Sequence, residues 1–111
     1  MRFADRVYAV AKQIPRGKVS TYGEIARALG SKGYRAVGQA LHVNPYAPTV
    51  PCHRVIASDG SLGGFASGLK KKTRLLRKEG VVAKNNRVDL QKYFMGLKKR
   101  KGHEVPLQKR R

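Results

Sequence analysis

Cysteine is almost absent from this sequence. Cys52 is the single cysteine among 111 residues, so the chain cannot form an internal disulfide or a zinc cage built from several cysteines. The three histidines, His42, His53 and His103, do not have the spacing of a metal site. The sequence therefore gives no sign of a structural metal, and it suits a reducing compartment.

Long apolar runs are also missing. No run approaches the roughly 20 residues that a membrane-spanning helix needs, and charged residues stand in the N-terminal stretch where a signal peptide would have its apolar core. We therefore expect a cytoplasmic protein with no membrane partner. The length suits one domain, whose modest core needs no cross-links.

Acidic residues are scarce beside basic ones. The chain has 25 Lys and Arg against 6 Asp and Glu, which gives a formal net charge of +19. The excess is spread along the chain, because residues 1–80 hold 15 basic and 4 acidic side chains. A field of this sign attracts polyanions, so we expect nucleic acid as the partner, with a merely solubilising surface as the alternative.

The apolar spacing predicts three helices in the first half. Apolar residues recur at helical intervals over residues 3–14, and Pro15 and Gly17 end the pattern. Thr-Tyr-Gly-Glu at residues 21–24 has the form of a capping box that opens a second helix. After a glycine-containing break at residues 30–33, a third helix carries Arg35 near its start. This pattern indicates a helix-turn-helix with the third helix in the recognition role, and a plain helical hairpin is the alternative.

The rest of the sequence predicts a loop, a hairpin, a helix and a tail. Prolines make residues 44–51 a rigid loop, residues 55–62 resemble a small β-hairpin, and residues 70–79 form a last core helix that Gly80 ends. We therefore predict a mainly α fold for residues 1–80, a winged-helix-like helix-turn-helix domain with a small β-hairpin. Residues 81–111 are predicted to be a basic C-terminal extension, partly helical or disordered.

Cys52 is the first candidate for chemistry. A thiol attacks as its thiolate, which needs nearby positive charge or a base, and His53 and Arg54 follow Cys52 directly. Without that context Cys52 would be interpreted as a small buried apolar residue.

Five stretches of the sequence, in order and in register, resemble a known family. They are residues 14–26, 35–38, 44–45, 51–55 and 60–65. Together they resemble the active-site domain of the O6-alkylguanine-DNA alkyltransferases, over about residues 3–80. The resemblance implies a suicide DNA-repair enzyme that flips an O6-alkylguanine out of double-stranded DNA. The alkyl group passes irreversibly to Cys52 without a metal or an organic cofactor, and we expect a monomer.

The resemblance also implies catalytic roles. Cys52 is the nucleophile, His53 takes the thiol proton through a water molecule, and Glu79 orients and stabilises the resulting imidazolium. Tyr22 helps to rotate the target nucleotide and hydrogen-bonds the guanine ring.

By the same resemblance, Arg35 fills the stack that the flipped base has left. The residues implied in DNA binding are Arg35, Tyr22, Ala36, Gly38 and Lys32. The residues implied in the substrate pocket are Val55, Phe65, Ala66, Asn44 and Arg54. Asn44 is also implied as a hinge whose side chain ties the loop to the third helix. Many relatives have tyrosine at the position of Phe65, so the pocket wall would lack one hydroxyl while keeping its aromatic face.

Three other functions remain open. An alkyltransferase-like sensor binds alkylated DNA without repairing it, but that branch of the family has another residue in place of Cys52. A winged-helix regulator would have no need of a Cys-His pair beside its DNA-reading helix. A cysteine hydrolase would leave the helix-turn-helix and the charge unexplained. The additional N-terminal domain that is usual in the family is not expected here.

Overall fold

Three helices form the first half of the chain, as the apolar spacing predicts. The computed structural model describes residues 2–46, 49–62 and 68–98. Helix α1 spans Phe3–Ala11, α2 spans Tyr22–Ala28 and α3 spans Tyr34–His42. The α2 and α3 helices pack on each other and on α1, which gives the predicted helix-turn-helix.

The predicted capping box is half formed. The Thr21 hydroxyl accepts a hydrogen bond from the Glu24 amide at 3.0 Å, which caps the N-terminus of α2. The Glu24 carboxylate does not reach back to complete the box, because it binds the Arg27 guanidinium and the Leu97 amide instead. The start of α2 is therefore tied to a segment more than seventy residues away in sequence.

The strands pair differently from the predicted hairpin. Strand β1, Ser20–Thr21, pairs in parallel with β2, Val55–Ile56. The turn after β2 does form, since the Ala57 amide donates to the Ser61 carbonyl at 2.9 Å. Beyond that turn the chain pairs elsewhere, and the Leu62 amide donates to the Asn86 carbonyl.

A β-hairpin lies later in the chain, where none was predicted. Strand β3, Ala83–Lys84, pairs antiparallel with β4, Arg87–Val88. Asn85 and Asn86 form the turn with φ values of 53° and 59°, a conformation that asparagine tolerates better than most residues. The fold class is confirmed as mainly helical with a small amount of sheet, but the hairpin lies at residues 83–88 and not at the predicted residues 55–62.

Two further helices complete the described elements. Helix α4 spans Leu69–Lys78 and the short α5 spans Leu90–Tyr93. A 3₁₀ helix, Cys52–Arg54, joins the proline-rich loop to β2. No helix of the described residues is long and apolar enough to cross a membrane.

The buried apolar residues form two clusters. The first cluster joins α1, α2 and α3 with Val50, Val55 and Leu97. The second cluster consists of Val19, Ile56, Leu62, Leu76, Val81 and Val88. Cys52 is half-buried and packs against the first cluster.

The segment at residues 81–98 packs against this core. Val81 and Val88 belong to the second cluster and Leu97 to the first. The Val19 amide donates to the Tyr93 carbonyl at 2.9 Å, and the Met95 amide donates to the Val19 carbonyl at 2.8 Å. Whether residues 1–80 fold as a domain of their own stays a prediction, and residues 99–111 lie outside the described part of the chain.

Candidate functional site

Cys52 opens onto a cavity of about 890 Å³ beside the helix-turn-helix. Five of the predicted site residues line it: Cys52, Tyr22, Arg35, Ala36 and Gly38. They come from the 3₁₀ helix, the first turn of α2 and the first half of α3, so the cavity forms where these three elements meet. Phe3 from α1 and Gln39 from α3 also line the cavity, although neither was among the predicted site residues.

The loop that leads to Cys52 is held by Asn44. The Asn44 side-chain amide donates to the Val50 carbonyl at 2.8 Å, while its oxygen accepts from the Tyr46 amide at 2.9 Å. Asn44 follows the end of α3 and Val50 lies two residues before Cys52, so one side chain ties the helix to the loop that carries Cys52. The structure therefore places Asn44 as a connector between these elements, and it does not line the cavity.

Behind Cys52 lies an ion-pair network centred on Glu79. The His53 Nε2 atom is 3.0 Å from Glu79 Oε2, and both side chains are more than nine-tenths buried. Arg54 binds the same carboxylate through two nitrogens, at 2.9 Å and 2.6 Å, and its third contact is the Ile14 carbonyl at 2.8 Å. Paired donation of this kind fixes the plane of a carboxylate. Arg54 was predicted in the substrate pocket, but its guanidinium is turned to Glu79.

The surroundings keep His53 neutral and Glu79 charged. Burial lowers the pKa of the His53 imidazole more than the hydrogen bond to Glu79 raises it. Burial by itself would raise the pKa of Glu79, but the hydrogen bonds from Arg54 and His53 outweigh it, so the pKa lies below its ordinary value. A neutral ring that donates from Nε2 to this carboxylate has its basic nitrogen at Nδ1.

Lys72 is a buried cation beside the cavity, and it was not among the predicted site residues. Its side chain is fully buried, and its ammonium donates to the Val55 carbonyl at 2.7 Å and to the Leu62 carbonyl at 3.0 Å. It also lies 3.5 Å from the Tyr22 hydroxyl. A signal was present in the sequence, because Lys72 lies between Leu69 and Leu76 on the apolar side of α4.

The pKa values of Lys72 and Tyr22 shift in opposite directions for one reason. Burial disfavours the charged form of both, so it lowers the pKa of Lys72 to about 8 and raises that of Tyr22. Lys72 therefore remains mostly a cation at neutral pH, and Tyr22 keeps its hydroxyl proton. The pair offers one positive charge and one hydrogen-bond donor next to Cys52.

The remaining predicted residues lie around this centre. Val55 is fully buried in the first cluster, and its carbonyl accepts the hydrogen bond from Lys72. Lys32 is exposed in the turn before α3. Phe65 and Ala66 lie outside the described residues. Within the described ranges no three His, Cys, Asp or Glu side chains come together as a metal-ligand set.

The fold and the site define a class: a helix-turn-helix domain with a cysteine-lined cavity against its third helix. The family model for the 6-O-methylguanine DNA methyltransferase, DNA binding domain, matches residues 2–81, and the chain belongs to this family of DNA-repair and damage-recognition proteins.

Relatives and solved structures agree with that membership. The methylated-DNA--protein-cysteine methyltransferase of Methanosarcina acetivorans is 52% identical over 79 residues, which cover 70% of this chain and 51% of the relative. A bifunctional methyltransferase/endonuclease of Picrophilus torridus is 47% identical over 88 residues, which cover 78% of this chain and 30% of the relative. The chain thus spans about half or less of the length of these curated relatives.

Two DNA complexes have the same fold. The S. pombe Atl1 protein, solved with damaged DNA containing O6-carboxymethylguanine, aligns with a TM-score of 0.75 at 38% identity, covering 86% of this chain and 98% of Atl1. The Mycobacterium tuberculosis OGT, solved in complex with DNA, aligns with a TM-score of 0.67 at 44% identity, covering 71% and 50%.

Proposed function

We propose that this protein repairs DNA by transferring the alkyl group of an O6-alkylguanine irreversibly to Cys52. The observation that carries the proposal is the position of Cys52, half-buried on the cavity wall and directly before a histidine bonded to a buried carboxylate. A protein that only recognised damage would need the cavity, but it would not need a nucleophile joined to a base.

The first step moves the thiol proton. His53 is neutral and buried, and its Nε2 is engaged by Glu79, so Nδ1 is the nitrogen that accepts the proton from Cys52 through a water molecule. Glu79 stabilises the imidazolium that results, and Arg54 holds Glu79 in place. The nucleophile, the base and the orienting carboxylate thus act in the same order as in a catalytic triad.

The second step forms one bond and breaks another. The thiolate sulfur attacks the alkyl carbon, a sulfur–carbon bond forms, and the carbon–O6 bond breaks with its electron pair passing to the guanine. The proton that left the thiol is balanced by the proton that the guanine ring gains, so the products are S-alkylcysteine and an unmodified base. Tyr22, which keeps its proton, and Lys72, which keeps its charge, stabilise the negative charge that develops on the departing ring.

The DNA partner is supported by the face that surrounds the cavity. Tyr34, Arg35, Ala36, Gln39 and His42 are the exposed residues of α3, and four of them line the cavity. A guanine inside the duplex cannot reach a half-buried thiol, so the target nucleotide must leave the stack, and Arg35 at the cavity edge takes its place. Double-stranded DNA containing O6-alkylguanine is therefore the proposed substrate. We propose that the chain acts as a monomer, as the family resemblance implies.

A second candidate is damage recognition without transfer. The structural agreement with Atl1, which covers 98% of that chain with a TM-score of 0.75, supports this candidate. Cys52 separates the two functions, since a sensor needs no acceptor for the alkyl group.

The test is intact-protein mass spectrometry after incubation with a duplex that contains O6-methylguanine. We expect the mass of each molecule to rise by one methyl group in place of one hydrogen, with the modification on Cys52. The Cys52→Ala variant should bind the same duplex and keep its original mass, and a duplex with ordinary guanine should leave the wild-type protein unchanged.

Three outcomes would contradict the proposal. Binding of the methylated duplex without a mass change would favour the sensor. Methylation that persists in Cys52→Ala would place the acceptor elsewhere. Repeated turnover with an unmodified protein would indicate a hydrolase.

A further inference from the structure

Helix α4 has a basic outer face that the proposed reaction does not use. The helix contains six basic residues and no acidic one. Lys72 is turned inward and buried, whereas Lys70, Arg74 and Arg77 are exposed. These three positions are spaced by four and then three residues, so their side chains lie along one side of the helix.

The three exposed cations line a groove of about 540 Å³. Thr73 and Asn86 also line it, so a hydroxyl and a side-chain amide add to the two guanidinium groups and the ammonium. No carboxylate lines the groove among the described residues, and no described acidic side chain pairs with Lys70, Arg74 or Arg77. A groove with this set of donors favours an anion with several oxygens.

The spacing of the cations fits a phosphate backbone. Seven residues of α-helix rise about 10 Å, so the three cations extend over that length. One strand of duplex DNA places a phosphate about every 3.4 Å along the axis, so roughly three phosphates fall within the same length. Among the described residues that line the groove, no aromatic side chain could stack on a base, so binding there would be independent of sequence.

The groove is separate from the Cys52 cavity. Within the described part of the chain, the two share no lining residue. On α4 the Lys72 side chain points to Tyr22 at the cavity, and residues two positions before and after it, Lys70 and Arg74, project from the opposite side of the helix. A duplex held at α3 therefore leaves the groove open to another stretch of nucleic acid.

We propose that the outer face of α4 binds the phosphate backbone of a second DNA segment, without reading its sequence, while α3 holds the first. The protein would then bridge two duplex segments. This inference does not rest on methyl transfer, because it concerns phosphate binding at residues that the reaction does not involve.

The test measures how many short duplexes one protein molecule holds. Unmodified duplexes of about one helical turn are too short to contact both faces at once. Sedimentation of the full chain with excess duplex should show two duplexes per protein, and donor- and acceptor-labelled duplexes should show energy transfer. In Lys70→Gln/Arg74→Gln/Arg77→Gln the complex should hold one duplex, and the energy transfer should disappear.

The control removes the same charge elsewhere. Lys12, Lys18 and Lys98 are exposed and lie outside the groove, so Lys12→Gln/Lys18→Gln/Lys98→Gln should keep both duplexes. In the wild-type protein, the log affinity for the second duplex should fall with log salt with a slope of about −2.7, because each of the three neutralised phosphates contributes about 0.9 to that slope.

Several results would overturn the proposal. One duplex per wild-type protein at every duplex excess would do so, as would an equal effect in the control variant. Complexes of two proteins with two duplexes would show that bridging comes from protein–protein association. Displacement of the second duplex by polyglutamate at equal charge concentration would assign the groove to acidic proteins.

Discussion

The two core clusters are assembled in different ways. The first is built mainly from helices α1 to α3, which follow one another in the first half of the chain, whereas the second draws single residues from positions between 19 and 88. Cys52 packs against the first cluster. Lys72 lies on α4 and Glu79 directly follows this helix, which Leu76 anchors in the second cluster. Cys52 and the charged groups of the α4 region are thus held by different parts of the core.

The largest expected effect comes from disturbing the second cluster at Leu76. Leu76 is fully buried, so Leu76→Ala should lower the free energy of unfolding by about 2–5 kcal/mol. Urea unfolding followed by circular dichroism should still show one transition, because the paired strands β1 and β2 link the two clusters.

The neighbouring Leu75 provides the control, since it is only half-buried and lies outside both clusters. Leu75→Ala should therefore cost less than Leu76→Ala. A separate early transition in Leu76→Ala would show that the second cluster unfolds by itself. The two clusters would then be independent unfolding units.

The first cluster could be predicted from the sequence because local signals define it. Helical spacing indicated α1 to α3, and the Thr21 cap indicated the start of α2. The cavity residues Tyr22, Arg35 and Cys52 could be brought together only by a family resemblance, since no local pattern relates positions in three different elements.

The second cluster could not be predicted because its signals are not local. The two-residue strands β1 and β2 are too short for an alternating pattern, and their parallel pairing joins positions 35 residues apart. Residues 83–88 have few apolar side chains, so the hairpin depends on the Asn85-Asn86 turn, which was not recognised. Lys72 was missed because a lysine on an apolar helix face is normally interpreted as solvent-exposed.

The second prediction tests whether the C-terminal segment belongs to the first cluster. Leu97 is 4% exposed, and its amide and carbonyl bind the side chains of Glu24 and Arg27, both at 2.7 Å. The Gln13 side chain holds the Lys98 backbone through two further bonds. Removing residues 94–111 should lower the free energy of unfolding by about 3 kcal/mol. About 2 kcal/mol comes from the buried leucine and about 0.5 kcal/mol from each of the two bonds of Leu97, because the exposed bonds of Lys98 are replaced by bonds to water.

Removing residues 99–111 alone is the matched control. It deletes most of the same positive charge but leaves the packing of Leu97 and the bonds of Lys98, so thermal and urea unfolding should hardly change. Equal destabilisation in the two truncations would show that residues 94–98 contribute nothing to the core, in agreement with a domain that ends at residue 80.

The smallest expected effect is a pH dependence of the free energy of unfolding, which comes from Lys72 on α4. Burial lowers the pKa of Lys72 from its ordinary 10.5 to about 8, so between these values the unfolded chain binds more protons than the folded one. Stability from this group therefore rises with pH over that window, by at most about 1.4 kcal/mol per pH unit. The difference in unfolding free energy between wild type and Lys72→Met should accordingly change by about 1 kcal/mol for each unit above pH 8, in favour of wild type.

Lys71→Met, on the exposed side of the same helix, should show no such change. Parallel pH profiles for wild type and Lys72→Met would mean that Lys72 keeps its ordinary pKa in the folded protein. The carbonyls of Val55 and Leu62 would then compensate fully for its burial, and the positive charge beside Tyr22 would persist well above pH 8.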